Sequence, residues 1–195
     1  MRPHLRYIVG MVKSLANKAM TTLAQRGCVV LDYMVEALGN DASSSLRRAI
    51  LLVDIDQYPG STQTEILTRV DINKSALTRE IEWLFNYGCI MLKDDNTDGR
   101  SKQIFSCGYS QKAISSALEY CDDDHDKLKF FLHNTSKTLK QERSTLRDAK
   151  IIALLYDKKE ADKQQIVNAL YNGGTATDYR ALSKLVDTGI VEENV

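Results

Sequence analysis

The chain has 195 residues, 43% of them hydrophobic and 27% charged, which excludes wholesale disorder and allows one or two cored domains. Lysine plus arginine number 26, as do aspartate plus glutamate; a polybasic nucleic-acid coat is excluded, a local cationic face is not. Two prolines and ten glycines favour helix over an all-β fold, and no apolar run reaches the ~18–20 residues that span a bilayer.

The N-terminal residues Met1-Arg2-Pro3-His4-Leu5-Arg6 are basic, but Lys13, Asn17 and Lys18 interrupt any signal-peptide core. From about Leu5 to Leu38 the chain reads as helix, with a break near Gly27. Tyr7, Ile8, Met11, Val12 and Leu15 recur at three- and four-residue spacing, as do Leu31, Met34, Val35 and Leu38. Gly39-Asn40-Asp41 is a stop, and Ser43-Ser44-Ser45 offers caps for a helix from Leu46 to about Gln57 with Ile50, Leu51 and Val53 inside. Tyr58-Pro59-Gly60 ends it. Thr62 followed three residues later by Glu65 fits a capping box for a short helix bearing Ile66, Leu67 and Val70. The turn Asp71-Ile72-Asn73 leads to a helix from Lys74 to Tyr87, with Leu77, Ile81, Leu84 and Phe85 on one face and Gly88 at its end. Cys89 to Leu92 and Ser101 to Phe105 read as two strands around a polar turn, Lys93 to Arg100.

Helix, short helix, turn, longer helix and hairpin is the order of a winged helix-turn-helix, in which two helices brace a third so that its first turn enters a major groove. The stretch Pro59-Gly60-Ser61-Thr62-Gln63-Thr64-Glu65-Ile66 resembles the opening of the second helix in the MarR family of transcription regulators. Ser75 to Leu84 (SALTREIEWL) resembles that family's recognition helix. Gly88-Cys89-Ile90 with Asp94 to Lys102 resembles its glycine–strand step and wing tip. The likeness covers roughly residues 46–118. Gly99 stands where the family commonly has a second arginine, Asp94, Asp95 and Asp98 dilute the wing's charge, and Cys107-Gly108-Tyr109 replaces a threonine-led step. The resemblance implies binding of palindromic DNA as a dimer, with ligand or redox control in many relatives.

Tyr109 to about Glu142 reads as mostly helical, interrupted near Asp122-Asp123-Asp124. Ile114, Leu118, Leu128, Phe131, Leu132 and Leu139 form an amphipathic seam whose exposure would call for a partner surface, hence an expected homodimer. The last fifty residues repeat the first helical unit at a shift of 101: Ile50 falls on Ile151, Gln63 on Gln164, Arg79 on Arg180, Ile81 on Leu182, Leu84 on Leu185 and Gly88 on Gly189. Helices are expected at Leu146–Tyr156, Lys163–Tyr171 and Thr175–Thr188, with the turn Asn172-Gly173-Gly174 before the last. The strand Ile190-Val191 is followed by too few residues to fold back, so the unit is expected to be wingless, touching DNA weakly or docking a protein partner. The expected fold is mainly α with a small β-hairpin wing, in four stretches. Residues 1–45 are an N-terminal dimerisation segment, 46–107 the winged helix, 108–145 a helical linker and dimerisation segment, and 146–195 the second helix-turn-helix-like unit.

For DNA contact the candidates are Lys74, Ser75, Ala76, Thr78 and Arg79 at the start of the third helix. Arginine can pair with guanine O6 and N7, hydroxyls bond bases or phosphates, and alanine meets a thymine methyl. Thr62 and Asn73 stand where helix-end donors hold phosphate. Arg100, which resembles the family's minor-groove arginine unless it pairs with Asp94 or Asp98, and Lys102 are the wing cations. The local charge is uneven, +4 over residues 1–48 and −3 over 49–107.

Cys121, His125 and His133 fit no dedicated metal spacing, and Cys89 and Cys107 read as small buried apolar groups. Cys28, Cys89, Cys107 and Cys121, without a CxxC pair, fit reduced thiols, so a cytoplasmic location is expected. There is no GxxxxGK[ST], GxSxG or HExxH, so no enzyme, cofactor, metal or membrane partner is expected. The function expected is a homodimeric, sequence-specific double-stranded DNA-binding transcription regulator. The alternatives are a winged-helix protein-interaction module, suggested by the −3 charge, and a plasmid or viral replication or partition factor.

Overall fold

The computed structural model describes residues 4–7, 17–94, 101–139, 144–158, 160–171 and 175–194. Its first element is not a helix but a strand, β1 (His4–Tyr7), followed by α1 (Asn17–Ala37). Leu5 to Tyr7 are therefore not part of the expected helix, which is described from Asn17 onward, and Ile8, Met11, Val12 and Leu15 lie outside the described residues. Leu5 to Tyr7 are extended because strands from the far end of the chain flank them on both sides, a pairing no local period reveals. Helix α1 buries Val30, Leu31, Met34, Val35 and Leu38. It stops where Gly39 and Asn40 take positive φ, with the Asn40 N–H donating to the Val35 carbonyl at 2.9 Å and that of Gly39 to Glu36 at 3.0 Å. That pair of bonds is a Schellman stop.

Helix α2 (Leu46–Gln57) is capped by Ser45, whose Oγ accepts from the Arg48 N–H at 3.2 Å. Leu46, Ala49, Leu51, Leu52, Val53 and Ile55 are buried all round it, which makes it the central helix; Ile50 is only half-buried. Helix α3 (Gln63–Arg69) carries the expected capping box of Thr62 and Glu65. Helix α4 (Lys74–Asn86) buries Leu77, Ile81 and Leu84. Phe85, expected on that face, is 48% exposed, one helical step of about 100° round from the buried Leu84. Strands β2 (Ile90–Asp94) and β3 (Lys102–Ser106) pair antiparallel from Ile90–Ser106 to Asp94–Lys102. A bridge from Ser61 to Ile104 sets β3 between two neighbours. Gly60 makes this possible: at φ +84° its N–H donates to the Ile104 carbonyl at 2.8 Å, and a Cβ there would stand 3.2 Å from the Phe105 ring. Three helices and this hairpin form a winged helix-turn-helix.

Helix α5 (Gly108–Leu118) begins on Cys107, which makes no side-chain cap bond, and α6 (His125–Leu139) follows a turn in which Asp122 and Asp123 have φ +54°. Of the seam on which a homodimer was expected, Ile114, Leu118, Leu128, Leu132 and Leu139 are buried within the chain, α5 against α1 and α6 against α2, while Phe131 is half-buried and lines an apolar groove with the exposed Leu23 and Phe130. Then come α7 (Leu146–Lys158), β4 (Glu160–Asp162), α8 (Lys163–Asn168), α9 (Ala176–Asp187) and β5 (Val191–Asn194); residues 172–174 lie outside the described residues. The strands run β4-β1-β5, both pairings antiparallel. The last unit was expected to lack a wing; instead β5 is paired by β1, a strand lent from residues 4–7. No helix among the described residues is long and apolar enough to cross a membrane.

Candidate nucleic-acid interface

The helix-turn-helix is set by a buried charge. Asp54 on α2 is 1% exposed and accepts from Arg69 Nη2 at 2.9 Å and Nε at 3.2 Å. Arg69 also donates to Ser61 Oγ at 2.9 Å and lies 4.4 Å from the Tyr58 ring, while Lys129 of α6 comes within 3.7 Å of Asp54. This knot fixes the end of α3 against α2 and α6. A second clamp seats α4. Arg48 Nε lies 2.8 Å from Glu80 Oε2, its guanidinium sits 3.7 Å over the Trp83 ring, and Trp83 stacks on Tyr87 at 3.8 Å.

With its inner face held, α4 turns Asn73, Lys74, Ser75, Thr78 and Arg79 to solvent. Lys74 and Arg79 make no ion pair among the described residues, so both cations are free for a phosphate or a base edge. The Asn73 Oδ1 caps the helix, accepting from the Ala76 N–H and the Ser75 hydroxyl, both at 2.8 Å. Thr78 donates to the Lys74 carbonyl at 3.0 Å, which leaves its oxygen able to accept.

Three expectations change. Ala76 is 5% exposed and faces the start of α2, so it is withdrawn from the base-contacting set; one step along a helix rotates a small residue from the outer to the inner face. The Thr62 hydroxyl is taken by its capping box, donating to Glu65 Oε2 at 3.0 Å and accepting from the Glu65 N–H at 3.3 Å. That carboxylate occupies the place a phosphate would take. In the wing, Lys102 pairs with Asp94, its partner across the hairpin, both exposed; Arg100 lies outside the described residues.

Arg47 and Arg48 join the cationic residues beside α4, though neither stands in the helix-turn-helix pattern of the sequence. With Arg79 they line a groove of about 520 Å³ between the start of α4 and the starts of α2 and α7, rimmed by Ser43, Ser45 and Thr145. The available signal was the positive excess of residues 1–48, which ends on these two arginines. Redox chemistry finds no support. Burial pushes the Cys28 thiol up to about 11, and burial also raises Cys89, Cys107 and Cys121. His125, weighed as a metal ligand, lies 3.1 Å from Asp56, which also accepts from Ser106 Oγ at 2.7 Å. Among the described residues no three His, Cys, Asp or Glu side chains gather in a metal-holding group.

No family model and no curated protein matches the chain. Solved structures similar to it include MarR, at 18% identity over 65% of this chain and 96% of that one, TM-score 0.38. A SlyA-like transcription regulator from Listeria monocytogenes is similar at 16% identity over 76% and 96%, TM-score 0.39. Overoxidized AbfR bound to DNA is similar at 17% over 64% and 91%, TM-score 0.38. At these identities and scores the likeness assigns neither a family nor a ligand to this chain.

Proposed function

We propose that the chain is a sequence-specific double-stranded DNA-binding transcription regulator. One observation carries the reading: the outer face of the first turns of α4 meets solvent, with Lys74 and Arg79 in no ion pair among the described residues, while Leu77, Ile81 and Leu84 anchor the helix from behind. Arg79 is the base reader, Ser75 and Thr78 are adaptable hydrogen-bonding partners, and Lys74 with Asn73 steadies the backbone. The wing adds a cation only when Lys102 leaves Asp94, an exchange that is cheap because an exposed pair is worth about 0–1 kcal/mol.

Fluorescence anisotropy with a labelled random duplex over a range of salt tests the reading. Binding should fall steeply with salt, with a slope of about −0.9 per phosphate neutralised. Asp94→Asn should tighten binding to all sequences alike, and Lys102→Ala should loosen it alike. Absence of binding at low salt would leave the rival, a protein-docking winged helix, for which Phe85, Tyr87 and Met91 form an exposed apolar group at the far end of α4.

A further inference from the structure

Residues 144–194 carry a second set of the features that build 44–106. Helix α7 starts on Thr145, whose hydroxyl accepts from the Asp148 N–H at 3.1 Å, as Ser45 does for Arg48. Helix α8 opens on a capping box of Asp162 and Gln165, as α3 does on Thr62 and Glu65. Thr175 caps α9 as Asn73 caps α4. After the third helix Gly189 turns at φ +71° and Gly88 at φ +69°. The next N–H reaches back identically, Ile190 to Leu185 at 3.1 Å and Cys89 to Leu84 at 2.8 Å. In both sets the middle strand is antiparallel to its two neighbours: β3 between Ser61 and β2, β1 between β4 and β5.

The two sets meet on a local two-fold. Ser45 and Thr145 form an antiparallel bridge in which the Leu46 N–H donates to the Ser144 carbonyl at 2.9 Å and the Leu146 N–H to the Ser44 carbonyl at 3.0 Å. An antiparallel pair exchanging two bonds is symmetric about its own centre, so α2 and α7 leave it as two-fold mates. The flanking helices cross in the same sense. Helix α1, which precedes the first set, packs on α7, and α6, which precedes the second, packs on α2. Beside the bridge, Arg48 ties α4 to α2 through Glu80, and Arg147 ties α9 to α7 through Asp178, each at 2.8 Å. Arg147 also donates to Ser43 Oγ at 2.9 Å across the bridge.

Building on the DNA-binding reading above, we propose that one chain is an internal two-fold pair of winged helices. Helix α9 is then a second duplex-reading helix, and the target is a single duplex with two unlike half-sites. The exposed face of α9 presents Ala176, Thr177, Arg180, Ser183 and Lys184, and its Asp178 is turned inward and neutralised by Arg147. Hydroxyls and two cations repeat the chemistry of α4, with Arg180 in the place of Arg79, but Ala176 adds a methyl that α4 buries at Ala76 and the second cation, Lys184, stands at a different position from Lys74. A homodimer reads the same bases twice; this pair reads two different sets. Burial of Ile114, Leu118, Leu128, Leu132 and Leu139 inside the chain fits an internal pair.

The test uses the full chain and a duplex selected from a randomised library, with native mass spectrometry for stoichiometry and a hydroxyl-radical footprint. One chain per duplex is expected, protecting two unlike half-sites. Arg180→Ala should weaken binding about tenfold or more and relax base preference at one position in one half, while Arg79→Ala relaxes it at one position in the other. Arg180 makes no hydrogen bond or ion pair among the described residues, so the variant should keep its circular dichroism, and Lys184→Ala probes the same face independently. Inserting five base pairs between the halves, which rotates them half a turn apart, should abolish joint binding. Two chains per duplex, a palindromic consensus, or affinity within twofold for both α9 variants overturns the internal pair and leaves DNA binding standing. Failure to select any duplex at low salt overturns both.

Discussion

Asp54 is the side chain on which the placement of α3 turns. It is buried, and Arg69 loses its only carboxylate partner among the described residues when the carboxylate is removed. Asp54→Ala should cost about 2–4 kcal/mol, read from urea unfolding, and a loss below about 0.5 kcal/mol would show that the knot does not set the helix. Cys107 is the opposite case, an N-cap in extended backbone (φ −79°, ψ 155°) with no side-chain bond to the helix it starts. Cys107→Ser should stabilise the chain by about 0.5–1 kcal/mol, measured the same way. A thiol held at about 11 has little thiolate at pH 7–8, so Cys28 should alkylate far more slowly than glutathione, and mild peroxide should leave DNA affinity unchanged. Rapid modification at pH 7 would contradict the burial.

At the scale of elements, what the chain announces is local. The Thr62–Glu65 box, the Gly39-Asn40 stop, the break at Asp122-Asp123 and the glycine after each third helix are each decided within a few residues, and each stands where the residues place it. Strand β1 is the contrary instance. Its four residues alternate polar and apolar, too short a run to outweigh the helical spacing that follows it, and they are extended because β4 and β5 supply partners more than 150 positions away. The candidate site divides along the same line. Lys74, Ser75, Thr78 and Arg79 fall on the outer face of α4 by helical spacing, whereas the inward turn of Ala76, the Lys102–Asp94 pair and the Arg48–Glu80–Trp83 clamp depend on neighbours across the fold. Substituting Leu5→Pro removes the strand's N–H and should speed amide exchange in β4 and β5 while leaving β2 and β3 unaffected. Equal exchange in both sheets would mean that β1 does not complete the second one.

For the whole molecule, zero net charge makes non-specific adhesion to DNA weak, so affinity has to come from a few placed cations and from base contacts. The buried seam and the bridge at Ser45 and Thr145 hold the two helical sets as one body. On that body α4 keeps an outer face that nothing described covers. The most direct measurement is the affinity of wild type and Arg79→Ala for a selected duplex and for a random one at the same salt. The account predicts a loss of about 1–3 kcal/mol on the selected duplex, with preference relaxed at one base pair and little change on the random one. Equal loss on both duplexes, or no loss on either, would contradict base reading by α4.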